Sequence, residues 1–317
     1  TYRMGGQRVH GKAMTQKFFF LMRDKVPVIS QKTYFFADLH ADRQALLNSL
    51  EYCDDLSALY LIGGDCLDKG PSNLDLLREL KKLAEKVQVR FIAGNHDLRM
   101  LMVLQNWDDQ GNFLFQHIFT PERFEKRIVP FLEECGGIEA AKEMFLDPMG
   151  EFGWFFPSLN LLHQDKAVLF THAGVSDVFT FQLKQKGPDL YNAMFRKLLE
   201  DKGNLFDFYY SQASGAFRTK YRTKDAPFTQ LGAKKLRECG VRFVAHGHDS
   251  QTMGHRLRYI EGIPHLTCDV TVNSGSRWKE NLGIQSGGGV AVFDPENNHV
   301  FCFSSEGSTG FYWGIYQ

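Results

Sequence analysis

The chain has 317 residues, with 37 Lys and Arg balanced by 37 Asp and Glu and a pI near 7.1. That balance excludes the basic stripe of a nucleic-acid binder and the acidic run of a solvating tail. No apolar run approaches the roughly 18 residues of a membrane span. The length accommodates one large domain or two small ones with a substantial core. No signal-peptide pattern is seen, and a start at Thr1 fits a piece of a longer protein. Six cysteines, at 53, 66, 135, 239, 268 and 302, lack any Cys-x-x-Cys spacing. They read as small buried thiols in a reducing, cytoplasmic compartment.

Residues 1–32 carry little chemistry. The run from Gly6 through Gly11-Lys12-Ala13 nearly matches a phosphate-cradling loop but lacks its Ser or Thr and follows no strand. Thr33–Phe36 is a short apolar strand that delivers Asp38 and His40. A helix is predicted over 43–52. The apolar stretch 58–62 runs into Gly63-Gly64 and then presents Asp65, Asp68 and Lys69 on a tight loop. Pro71-Ser72-Asn73 starts a helix over 73–86 with Leu76, Leu80 and Leu83 along one stripe. Strand 87–93 delivers Gly94-Asn95-His96-Asp97.

From there to 166 the pattern changes. Helical segments at 98–105, 121–134 and 138–146 are threaded by Phe113, Phe115, Phe119, Phe124, Phe131, Phe145, Phe152, Phe155 and Phe156, with Trp107 and Trp154. These aromatics are read as the core of an inserted helical cap, part of which could wall the site and select substrates. Strands then return. Ala167–Phe170 delivers His172, and Val241–Ala245 delivers His246-Gly247-His248-Asp249. Helices are expected at 190–200 and 229–239, flanking a basic stretch from Arg218 through Arg222 to Lys224. Strands at 266–272, 289–293 and 299–304 read as an antiparallel meander.

Five strands thus end in oxygen and imidazole donors. In an α/β layer, strand carboxyl ends share the edge where ligands bind. Crowded carboxylates would raise each other's pKa unless a cation joined them. Six candidate ligands, Asp38, His40, Asp65, Asn95, His172 and His248, are too many for one ion that also binds water, so two metals are expected, with Asp65 as the natural bridge. The mixed donors suit manganese above all, with iron or zinc as alternatives.

The order Asp-x-His, Gly-Asp-x-x-Asp-x-Gly, Gly-Asn-His-Asp, His-Ala-Gly and Gly-His resembles the calcineurin-like metallophosphoesterases. It looks most like their phosphoprotein phosphatase branch, including bacterial Shewanella-like and effector-type members. The resemblance implies an α/β/β/α sandwich of two mixed sheets, with 33–317 as the phosphatase domain, 98–166 as a cap and 1–32 as an extension. It places Asp38, His40 and Asp65 on one metal and Asp65, Asn95, His172 and His248 on the other, with His246 behind them. His96 would be the general acid, oriented by Asp68, and a metal-bridging hydroxide the nucleophile.

Asn95, Lys69 and Arg222 would bind substrate phosphate. Lys69 departs from the arginine usual in protein phosphatases, replacing a planar fork by a point charge, for which Arg99 or Arg218 could compensate. Asp97 stands where eukaryotic members keep glutamate. The expected activity is hydrolysis of Ser/Thr phosphate, or Tyr phosphate, on proteins. Partners are then phosphoprotein substrates, with neither nucleic acid nor a membrane span, in the cytoplasm or, for an effector, a host cytosol. The alternatives are a dinucleoside tetraphosphatase, suggested by Gly94-Asn-His-Asp-Leu-Arg99 and Gly70-Pro71-Ser72, and a catalytically silent metal-binding scaffold.

Overall fold

The computed structural model describes residues 32–107, 121–211, 215–217, 227–251, 254–270, 287–294, 296–304 and 307–312. The near match at Gly6–Ala13, the expected extension, Phe113, Phe115, Phe119, Arg218 and Arg222 lie outside them.

Alternation of side chains along the strands explains the architecture. In β1 (Thr33–Phe36) Phe35 faces one way while Tyr34 and Phe36 face the other. The same division holds in β2 (Leu59–Ile62) and β3 (Gln88–Ile92), where Leu61 and Ile92 share the side of Phe35. A strand apolar on both faces must be covered on both. A helical layer covers one side: α1 (Arg43–Leu50), α2 (Asn73–Ala84), α3 (Asn95–Gln105), α4 (Pro121–Cys135), α5 (Ile138–Leu146) and the short α6 (Phe155–Ser158). A second sheet covers the other, and its Val168, Phe170, Phe243, Ala245 and Leu266 meet Phe35, Leu61 and Ile92. Phe170 touches both Phe35 and Phe293 of the first sheet, with ring centroids 5.2 and 4.9 Å apart.

The first sheet continues β1–β2–β3 in parallel into β4 (Leu159–Asn160). On its other side it adds β10 (Gly289–Asp294), β11 (His299–Ser304) and β12 (Gly307–Tyr312) antiparallel. The second sheet has the order β5 (His163–Asp165), β6 (Val168–Phe170), β7 (Phe243–His246), β9 (Ile263–Thr267), β8 (Arg256–Ile260). Against it lie α7 (Asp177–Glu200), which bends at Gly187 (φ 71), and α9 (Gln230–Glu238), while α8 (Lys202–Tyr210) packs on α7 and α3. Both sheets are mixed, as expected of the sandwich.

Three expectations need correction. The strand near 266–272 ends at Thr267 and pairs in parallel with β7, so it belongs to the other sheet; the meander is β10–β11–β12. Period two identifies a strand but not its partner. The helix expected at 98 starts at Asn95, because Asp97 accepts the Gly94 N–H at 3.0 Å and caps that turn. The helix expected at 190–200 is the second half of the bent α7. Among the described cap aromatics, Phe131, Phe145, Phe152, Phe155 and Phe156 are all buried in the main core. All six cysteines are free thiols, and no described helix is long and apolar enough to cross a membrane.

Candidate metal centre

The parallel strands β1, β2, β3, β6 and β7 end on one edge, and the loops that leave them are laced together by main-chain hydrogen bonds. Asp38 N–H donates to Gly64 O, His40 N–H to Asp65 O, and Gly247 N–H to His172 O, at 3.2, 2.8 and 2.7 Å. The approach is so close that a Cβ on Gly94 would stand 2.0 Å from Asp65 N, and one on Gly247 1.9 Å from Asp38 Oδ2. Positive φ is costly for side chains with a Cβ, at roughly 1–3 kcal/mol each. Yet of ten such described residues, six are Asp38, His40, Asp65, Asp68, Lys69 and His248. Strain of that kind collects where a site must be held in shape.

Asp65 is the centre of this edge. Its Oδ1 accepts the His96 N–H at 2.8 Å, and its Oδ2 lies 3.8 Å from His40 Nε2, 3.7 Å from His96 Nε2 and 3.4 Å from His172 Nε2. Two groups have donor atoms spaced to share an ion, His40–Asp65–His96 and Asp65–His172–His248. Asp38 Oδ1 sits 3.8 Å from His40 Nε2 while its Oδ2 accepts the His248 N–H at 2.8 Å. Asn95 Oδ1 is 3.2 Å from His172 Nε2. Asp38, His40, Asp65, Asn95 and His172 are all buried. His246, by contrast, lies under the loop, with Nδ1 on Gly247 O at 2.8 Å and Nε2 near Thr267.

The electrostatics ask for cations. Burial, reinforced by Asp269 and Asp65, holds the Asp38 carboxyl well above its usual range. Burial also opposes ionisation of Asp65, but the imidazoles of His172 and His96 outweigh it and keep that carboxyl well below its usual range. His172, against its own burial, is pushed up to about 10 by Asp65 and Asp38. Its Nδ1 faces Gly63 O at 2.9 Å, so Nε2 carries the second proton and is the atom a cation would take over. Carboxylates and imidazoles around one shared oxygen could hold divalent ions: Asp65 with His40 and His96, and Asp65 with His172 and His248, with Asp38 and Asn95 close beside them.

Beside the cluster, His96 Nδ1 bonds Asp68 Oδ2 at 2.6 Å, which turns Nε2 toward Asp65. Burial lowers the His96 pKa to about 4. Lys69 Nζ approaches His40 Nε2 at 2.9 Å. Arg99 bonds the Tyr209 hydroxyl through Nε at 2.8 Å, with its charge still felt by Asp65 and Asp68.

Three residues escaped the sequence reading. Arg127, on α4, reaches across to Asp68 Oδ1 at 3.3 Å. Two turns further along the same helix face, Glu134 accepts from Ser72 Oγ and from the Asn73 and Leu74 main-chain N–H groups at 2.6, 3.0 and 2.9 Å. It thereby caps α2 and anchors α4. Asn73 in turn accepts the Asp68 N–H at 2.8 Å. Nothing in the sequence around α4 marks these contacts. Asp269 was findable: it follows β9, whose carboxyl end shares the site edge, and it accepts from Ser250 Oγ at 2.7 Å.

The chain is 28% identical over 153 residues to the symmetrical bis(5'-nucleosyl)-tetraphosphatase of Salmonella paratyphi C, a span covering 47% of this chain and 45% of that protein. The same enzyme of Salmonella typhimurium is 27% identical over 153 residues, again 47% and 45%. The chain thus spans under half the length of these curated relatives. Its fold resembles the cold-active protein-tyrosine phosphatase of a psychrophilic Shewanella species, with TM-score 0.61 and 18% identity, covering 89% of this chain and 80% of that one. The family model described as calcineurin-like phosphoesterase matches residues 31–251, more than half of the sequence. The chain is therefore a member of the calcineurin-like phosphoesterase family.

Proposed function

We propose that this protein is a binuclear-metal phosphatase that hydrolyses phosphomonoesters on proteins, at Ser/Thr or Tyr, within the phosphoprotein phosphatase branch. The observation that carries the reading is the single Asp65 oxygen faced by His40, His96 and His172 at 3.4–3.8 Å, with the His96–Asp68 pair beside it. Two divalent ions, manganese first and iron or zinc next, would clamp the phosphate and lower the pKa of a bound water. Asp38, His40 and Asp65 would hold one ion, and Asp65, Asn95, His172 and His248 the other.

The chain's own residues account for the rest. His96 gives a proton to the leaving oxygen through Nε2, and Asp68 fixes the ring by its bond to Nδ1. Its low pKa in the metal-free state follows from burial and makes it a strong acid once protonated. Asn95, Lys69 and Arg127 are the phosphate contacts we assign; Arg127 restores the planar fork that Lys69 lacks. Arg222, outside the described residues, would join them as the resemblance implies. We read 33–317 as one catalytic domain, with the helical cap inserted between the adjacent parallel strands β3 and β4, so that it ends before Leu159 rather than at the expected 166, where β4 and β5 already stand, and the cytoplasm as its place of action.

A nucleotide reading has its own support in the 28% identity to a tetraphosphatase. It would want aromatic faces to stack on bases. The described cap rings Phe131, Phe145, Phe152, Phe155 and Phe156 are at most 3% exposed and pack on one another, whereas Trp107, Phe124 and Trp154 are half-buried. Assay of a phosphopeptide panel against diadenosine tetraphosphate, with manganese supplied, tests the choice. Peptide dephosphorylation is expected; turnover of the nucleotide alone overturns it, and no turnover of either favours the scaffold.

A further inference from the structure

A second site lies at the flank of the sandwich, away from the metal edge. Period two puts Arg90 of β3 on the same face as Ile92, opposite Leu61 of β2, so an arginine, itself exposed, stands at the mouth of the space between the sheets. Across that space His163 of β5, paired with the core residue Phe170, points back at it. Arg90 Nη1 meets His163 Nδ1 at 3.2 Å. Elsewhere between the sheets such positions hold Phe, Leu, Ile, Val and Ala. Here they leave a cleft of about 400 Å³.

The third wall is equally polar. On α7 past its bend, Asp189, Asn192 and Arg196 fall at i, i+3 and i+7, one stripe of a helix, and all three line the cleft. Asn192 is latched to the main chain, accepting from the Leu161 and Leu162 N–H groups at 2.9 and 3.1 Å. Asn160 accepts from Arg196 Nη1 at 2.5 Å and donates to Phe91 O at 3.2 Å. The amides therefore hold the frame: Arg196 bonds an amide oxygen and Arg90 an imidazole nitrogen, with the Asp165 carboxylate also within electrostatic reach of Arg90.

His163 completes the set. Burial and the neighbouring Arg90 lower its pKa to about 4, so it is neutral at pH 7. A guanidinium only donates, so His163 Nδ1 accepts and Nε2 carries the hydrogen. The cleft thus offers two planar cationic forks and an imidazole N–H, with Asp189 as the carboxylate in its lining. Guanidinium forks match phosphate oxygens in two-pronged geometry. The volume falls within the roughly 300–1,000 Å³ of small-ligand sites, which leaves room for an organic body beyond a phosphate group.

We propose that this flank cleft is a phosphate-group binding site separate from the metal centre, in which Arg90 and Arg196 grip the oxyanion and His163 donates to it. Its occupant is a phosphate monoester, carried by a small molecule or by a phosphorylated side chain. The proposal stands whichever substrate the metal centre turns over.

The test follows the His163 ring by NMR in the full chain as inorganic phosphate is added. Its resonances should move saturably in the native protein and stay still in R90Q/R196Q. Turnover of a generic aryl phosphate in that variant should remain within about twofold, since neither arginine touches the metal centre. R90K/R196K keeps the charge but loses the forks, and its half-saturation should rise about tenfold. Non-hydrolysable phosphonate analogues of a phosphoserine peptide and of a sugar phosphate then separate the two sources by which saturates lower. An equal shift with sodium chloride at matched ionic strength overturns the proposal. So does an unchanged phosphate response in R90Q/R196Q with a native melting curve.

Discussion

The loops at the carboxyl edge and the helices of the 98–166 insert are built on opposite plans. The loops hold Asp38, His40, Asp65, Asn95 and His172, all buried, on backbone with positive φ at six positions around the site. The described part of the insert is mostly apolar packing, Phe131 on Phe145 and Phe145 on Phe152 and Phe156, and it touches the edge through two polar hooks, Arg127 and Glu134. One region spends folding stability on chemistry; the other supplies stability and leans on the chemistry from one side. Substitutions in the first should therefore cost turnover with modest change in melting, and those in the second the reverse, except where the hooks join them.

Asp65→Asn is the most damaging change to the edge. It should lower bound metal from two ions toward none in elemental analysis and reduce turnover beyond the about 10⁴-fold upper range of a lost proton-transfer group. His96→Ala should keep both ions while turnover falls about 10²–10⁴-fold; loss of metal in that variant would show that the ring is a ligand instead.

The edge should also respond to pH. In the metal-free protein His172 keeps its second proton up to about 10, and a cation must displace it. Metal affinity should thus rise with pH below that value, with protons released on binding in calorimetry across buffers.

At the hooks the effects shrink. Arg127→Ala should lower kcat/KM about tenfold, mainly through KM, with metal content and melting unchanged. Glu134→Gln should cost about 1 kcal/mol in denaturant unfolding by weakening the cap on α2, with a small change in turnover. If it instead abolishes turnover, the insert is part of the catalytic machinery rather than its support.

The edge was legible because its chemistry is local. The donors follow short apolar strands by two to four residues, and a glycine precedes Asp65, Asn95 and His248 and announces a tight approach, as Gly94 does against Asp65. The hooks were not. Arg127 and Glu134 look like any solvated charges on an amphipathic helix, and only packing of α4 against α2 decides that they point inward. Arg90 failed to register for a related reason. A strand with arginine at one alternate position reads as an edge facing water, whereas here it faces the opening between two sheets.

Sequence alone determined the strand-and-loop grammar, the donor types and their order, because backbone propensity and ligand chemistry act over a few residues. Tertiary structure decided which sheet each strand joins, sending β9 beside β7 rather than into the meander. It decided that α3 begins on the site itself, and it brought an arginine from α4 to Asp68 and two more into the flank cleft. Those outcomes depend on contacts between residues tens to hundreds of positions apart, whose favourable burial exists only once the two layers have closed on each other.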